Sequence, residues 1–140
     1  DPLTCDIEVS GAASVSLWAS SSAPDTDFTA KLVDVSPDGY ARNLIDNLIR
    51  ARYRSSLENP MFIEPNKSYS YAIDLYGTSN LFRAGHRIRL EISSSNFPRF
   101  DRNPNTGKPV AEETDLIPAL QTVFHDSMHP SALLLTVRER

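Results

Sequence analysis

The chain has 140 residues, 40% of them hydrophobic and 23% charged, with a net charge of −4 at pH 7. That length accommodates one domain with a core of its own, residues 1–140, and the proportions are globular, neither disordered nor membrane-like. The 14 Lys and Arg are scattered, which excludes a basic stripe for nucleic acid, and no apolar run approaches the roughly 20 residues of a membrane span.

The start, Asp1-Pro2-Leu3-Thr4, lacks the basic and apolar regions of a signal peptide. Cys5 is the sole cysteine, so no internal disulfide or multi-thiolate metal site forms within the chain. It reads as a small buried hydrophobe, and the count accords with a cytoplasmic setting.

In chain order, Cys5, Ile7 and Val9 alternate with Asp6 and Glu8 as in a half-buried strand, which Ser10-Gly11 interrupts. A second strand runs from Ser14 to Ser20, with Val15, Leu17 and Ala19 on one face and Trp18 on the other. Phe28 to Val35 is apolar on both faces, as expected of a central strand. Ser36-Pro37-Asp38-Gly39 then closes a hairpin, Pro presetting φ and Gly accepting positive φ.

From Asn43 to Ser56, Leu44, Ile45, Leu48 and Ile49 are spaced as on one helical face, so the segment reads as a short helix or an irregular excursion. Tyr69, Tyr71, Ile73 and Leu75 share one strand face, and Ile88, Leu90 and Ile92 another within His86 to Ser93. A polar stretch from Asn96 to Pro118 follows, and a loop of that length inside a compact domain is commonly functional. Gln121 to His125 and Leu133 to Val137 complete about eight strands, which favours an all-β sandwich or barrel.

Catalytic motifs are scarce. A serine nucleophile of the α/β-hydrolase kind needs Gly-x-Ser-x-Gly at a strand-to-helix turn, and the runs Ser20-Ser21-Ser22 and Ser93-Ser94-Ser95 lack the flanking glycines. His125, Asp126 and His129 offer two imidazoles and a carboxylate, but no further ligand at an informative spacing, so no metal or cofactor is expected. Glu112, Glu113 and Asp115 read as solvated loop carboxylates, and Arg50, Arg52 and Arg54 as partners of nearby acids. No residue is assigned a catalytic role.

Asn96-Phe97-Pro98-Arg99-Phe100-Asp101-Arg102-Asn103 differs, because aromatics alternating with charges suit an interface or a pocket wall. The structural alternative has Phe97 and Phe100 plugging the end of the sandwich while Asp101 pairs with an arginine.

These residues also carry a family resemblance. Trp18 to Phe28, Lys31-Leu32-Val33-Asp34-Val35 with Pro37-Asp38-Gly39, Ala84 to Leu90, Ser93 to Gly107, and His125-Asp126 with His129-Pro130-Ser131 resemble the C-terminal domain of X-Pro dipeptidyl-peptidase and cocaine-esterase-like hydrolases. The resemblance implies a jelly-roll β-sandwich, similar to galactose-binding domains, attached to an α/β-hydrolase domain that holds the Ser-His-Asp triad. That catalytic domain is the implied partner. By the same resemblance Asn96, Phe97, Arg99, Phe100 and Asp101 form one wall of its substrate pocket.

Members of the family carry further residues of this domain before the strand near Cys5. The chain is therefore expected to be a fragment short of an N-terminal strand, with an open edge that favours a homodimer. The alternative function is a carbohydrate-binding jelly-roll module, by analogy of fold alone. Such a module wants an exposed Trp or Tyr platform, whereas Trp18 lies in a strand.

Overall fold

A computed structural model describes residues 1–138. Seven strands form two antiparallel sheets: β1 (Ile7–Ser21), β2 (Asp27–Val35), β3 (Ala41–Arg50), β4 (Tyr69–Phe82), β5 (Arg87–Ser93), β6 (Gln121–Phe124) and β7 (Ala132–Val137). One sheet has β1 at its centre, with β4 on one side and β6 and β7 sharing the other, while the second runs β3-β2-β5. Their inner faces bury Val9, Val15, Leu17, Phe28, Leu32, Tyr71, Ile73, Leu75 and Phe82 in one core.

The expected break at Ser10-Gly11 is a kink inside one 15-residue strand. Pairing shifts register near Ala12 against β4 and between Val9 and Ala13 against β7, so bulges take up the irregularity without ending the strand. Gly11 has φ +134°, and a Cβ there would meet Thr136 at 3.1 Å. This fusion removes one of the expected strands, and β3 adds one that was not expected, for seven in all. Cys5 is exposed rather than buried, because it precedes β1 and burial fades from Val9 through Ile7 towards that end.

Asn43 to Arg50 is neither helix nor excursion. It belongs to β3, paired with β2 from Asp27↔Arg50 to Val35↔Ala41, and only Ala51–Tyr53 turns as a 3-10 helix. The register slips between Leu32↔Ile45 and Val33↔Asn43, leaving Leu44 as an extra residue. Leu44, Ile45 and Ile49 then all pack on the core, which yields the helix-like spacing from a strand. The Ser36–Gly39 hairpin forms as expected, with Gly39 N–H donating to Ser36 O at 2.9 Å.

β3 and β4 close one side of the sandwich, where Asn47 Nδ2 donates to Asp74 O (2.7 Å) and Arg42 Nη2 to Asn80 Oδ1 (2.7 Å). The opposite side is open. There Ile88, Leu90 and Ile92 of β5 and Leu133 and Leu135 of β7 pack against the core yet remain half-buried.

Candidate functional site

Two carboxylates mark the end of the sandwich where the long loop returns. Asp25 and Asp27 are buried at the entry to β2. Asn103, itself buried, donates from Nδ2 to Asp25 Oδ2 (2.8 Å) and to Asp27 Oδ1 (2.9 Å). Two anions this close repel unless compensated. Arg50 grips Asp27 with both Nε (2.8 Å) and Nη2 (3.0 Å), and Arg52 meets Asp25 through Nε (2.8 Å) and its backbone N–H (2.9 Å). The hydrogen bond to Asp27 raises the Arg50 pKa above its ordinary value. Arg54 turns instead to the carbonyls of Ala51 and Met61 and lies over the Tyr69 ring. All three arginines are therefore engaged inside the fold.

Beyond Asn103 the loop closes on itself. Ile117 N–H donates to Pro104 O (3.1 Å), and Asn105, at φ +65°, donates from Nδ2 to Ile117 O (2.9 Å). Within it lies a cavity of about 370 Å³ lined by Phe97, Asp101, Arg102, Val110, Glu113 and Leu116 among others. Phe97 is 63% exposed, with the Arg102 guanidinium 5.4 Å above its ring. Asp101 has no ion-pair partner among the described residues, so the arginine pairing of the structural alternative does not form.

Glu113 differs from the solvated carboxylate expected. Its side chain is only 4% exposed, beside Lys108 Nζ at 3.0 Å. The Asp115 backbone N–H, followed by Lys108 and Thr106, lowers its pKa to about 2.

The five residues proposed for a pocket wall divide. Phe97 and Asp101 reach this cavity, whereas Arg99 turns towards β3 and Phe100 stays outside the cavity lining. Arg99 Nη1 sits 2.5 Å from Asp46 Oδ1, a charge contact rather than an aligned hydrogen bond, with its guanidinium over Phe100. Asn96 accepts the Phe100 N–H at its carbonyl and bends the chain between the two groups. Asn103, the hub that fixes the loop, stands in the sequence as one more polar loop residue. Only the burial of Asp25 and Asp27 reveals its importance.

The histidines lie apart from this cavity. The described residues hold no group of three His, Cys, Asp or Glu side chains placed to bind a metal. His129 does complete a hydrogen-bond chain in triad order, with Ser68 Oγ 3.3 Å from its Nε2 and Asp126 Oδ1 3.2 Å from its Nδ1. Asp126 Oδ1 also accepts the backbone N–H groups of Met128 and His129, as in a capped turn. The imidazole packs edge-on to Trp18 (5.1 Å between centroids) and against Phe124 (5.0 Å). The array joins the β6–β7 turn to the start of β4.

Residues 1–134 match the family described as the X-Pro dipeptidyl-peptidase C-terminal non-catalytic domain. The chain is 49% identical to a cocaine esterase of Rhodococcus sp. over 140 residues, covering 99% of this chain and 24% of that protein. A putative Xaa-Pro dipeptidyl-peptidase of Bacillus anthracis is 27% identical over 95 residues, 66% of this chain and 15% of that one. Among solved structures, an alpha-amino acid ester hydrolase superimposes with a TM-score of 0.94 at 33% identity, covering 99% of this chain and 24% of its own. An aminopeptidase from a marine sediment thaumarchaeon reaches 0.94 at 32%, covering 99% and 25%. The chain thus spans about a quarter of the length of such relatives, and it belongs to the X-Pro dipeptidyl-peptidase C-terminal non-catalytic domain family.

Proposed function

We propose that this chain is an accessory β-sandwich that packs on the catalytic α/β-hydrolase domain of a longer polypeptide and lends that domain part of its substrate pocket wall. The observation that carries the reading is the fixed loop with an outward-facing aromatic. Asn103 locks the loop to buried charges, yet Phe97, Leu116 (62% exposed) and Leu120 (74% exposed) remain in solvent. A loop held this firmly while it presents apolar side chains suits an interface. Phe97 and Asp101 are the wall residues whose position favours contact with substrate. Arg99, Phe100 and Asn96 support them from behind.

The open side between β5 and β7 fits the same reading. Its half-buried apolar residues and free strand edges are a seat for another part of the parent polypeptide. In the absence of that segment the same edges pair two copies of the chain. The acyl chemistry belongs to the parent, which by its relatives' names hydrolyses an ester or the peptide bond that follows an Xaa-Pro dipeptide. Trp18, packed edge-on to His129, offers no sugar platform, whereas Tyr40 (65% exposed) and Tyr76 (61% exposed) present open rings.

The experiment is complementation. The region upstream of this domain is expressed separately and assayed on an aryl ester and an Xaa-Pro amide, with and without the chain. Turnover that requires the chain, and that falls several-fold with Phe97→Ala at unchanged complex formation, is expected. Full turnover without the chain would sink the pocket-wall role.

A further inference from the structure

A second cavity, about 420 Å³, opens far along the sequence from the loop, where the β2–β3 hairpin meets the β4–β5 connection. Asp34, Tyr40, Arg42, Asn80, Arg83 and His86 line it. Asp34 is its sole acidic side chain, buried and doubly engaged: His86 Nδ1 lies 2.8 Å from Oδ1 and Arg42 Nη2 3.4 Å from Oδ2. Arg42 is further fixed by Asn80 Oδ1 at 2.7 Å. Arg83 is exposed and has no ion-pair partner among the described residues. The cavity lining thus carries two guanidinium groups and one carboxylate that is already satisfied, a local positive excess on a chain whose net charge is −4.

We infer that this cavity is a binding site for a carboxylate, held by the guanidinium groups of Arg42 and Arg83. Arg42 is held in place by Asp34 and Asn80, so little side-chain freedom is lost when it meets a ligand. Arg83 is the free fork that an incoming carboxylate can engage through two parallel N–H donors. The Tyr40 and Ser36 side chains on the same wall add hydroxyl groups for orientation. Asp34 acts through its neighbours: it fixes His86 and Arg42 in place. The carboxylate belongs to a free small molecule or to an acidic side chain of the parent polypeptide.

The test is a titration of the chain with succinate, followed by amide NMR shifts at constant ionic strength. Saturable shifts confined to residues 36–42 and 80–86 are expected, with affinity reduced about tenfold or more in Arg83→Ala. Arg87→Ala, which removes an exposed arginine on β5 outside the cavity, is expected to leave binding unchanged. Shifts spread over all surface arginines, no saturation, or equal binding by Arg83→Ala would overturn the inference. Repetition on the longer parent separates the two sources. Succinate binding retained there assigns the site to a small molecule, and binding lost only there assigns it to a parent side chain already seated. Neither result depends on the pocket-wall role of Phe97.

Discussion

Asn103 and Asp25 stand 78 residues apart in sequence, yet the Asn103 Nδ2 lies 2.8 Å from Asp25 Oδ2 in the buried end of the sandwich. The same nitrogen reaches Asp27 Oδ1 at 2.9 Å, so one amide group ties the long loop to two buried anions. The two aspartates and two arginines balance in charge, and the amide supplies donors that the arginines leave unfilled. The site loop is therefore a rigid appendage of the core.

Removing this amide tests that view. Asn103→Ala withdraws two charge-assisted hydrogen bonds and strands lone pairs of buried carboxylates, which costs about 2–4 kcal/mol. Denaturant unfolding should register the loss, and hydrogen exchange should rise across residues 94–120. Asn103→Asp should be worse, because it adds a third carboxylate to the pair. Wild-type stability in Asn103→Ala would show that the loop is held by something else.

Tyr71 poses the opposite problem. Its ring is fully buried, 4.8 Å from Phe28, and its hydroxyl has no hydrogen-bond partner. Burial pushes its pKa up to about 12 from 10.0. Tyr71→Phe deletes an unsatisfied polar atom while it keeps the packing, so stability near neutrality should stay within about 1 kcal/mol and lean upward. The raised pKa contributes fully below about pH 10 and is lost as pH rises towards 12, since the unfolded phenol ionises first. The variant should lose less stability than the wild type across that alkaline interval, as thermal melts would show.

How far such features can be read in advance varies along the chain. Ile88, Leu90 and Ile92 announce their strand because strict alternation admits no helix. Leu44, Ile45, Leu48 and Ile49 mislead because the bulge at Leu44 turns two adjacent residues towards one core, and a bulge depends on the partner strand. The long loop is evident from its prolines and polar residues, and so is the suspicion attached to Phe97. The division between Phe97 and Arg99 is not, since it depends on Asp46 lying across from Arg99 on β3. Likewise the cavity at Arg83 requires hairpin and connection to meet, a tertiary fact that spacing does not encode.

Glu113 carries the acid-side prediction. Its pKa is lowered from 4.5 to about 2, first by the Asp115 backbone N–H and then by Lys108 and Thr106. A depressed carboxylate stabilises the fold above its unfolded pKa, and that contribution disappears as pH falls through the folded value. The loop cavity should therefore stay closed at pH 5 and loosen progressively from about pH 4.5 towards 2. A carbon-detected NMR titration of the Glu113 carboxyl should give a midpoint near the lower end. A midpoint at the ordinary value would mean that Glu113 is not held, and Glu113→Gln would then leave loop exchange unchanged.

Ser68, His129 and Asp126 make the sharpest test of whether the chain performs chemistry by itself. Their hydrogen bonds follow the order of a hydrolytic triad, but a working serine also needs oxyanion donors and a space for substrate beside it. Ser68 lines neither the loop cavity nor the hairpin cavity, and His129 is packed between Trp18 and Phe124. Asp126 Oδ1 is divided among three donors, two of them backbone N–H groups of its own turn. A fluorophosphonate probe should leave Ser68 unlabelled in the isolated chain. Ser68→Ala should cost about 1 kcal/mol or less, by the loss of one hydrogen bond that fastens the β6–β7 turn to β4. Stoichiometric labelling of Ser68 that vanishes in His129→Ala would instead establish a nucleophile in a domain whose family is described as non-catalytic.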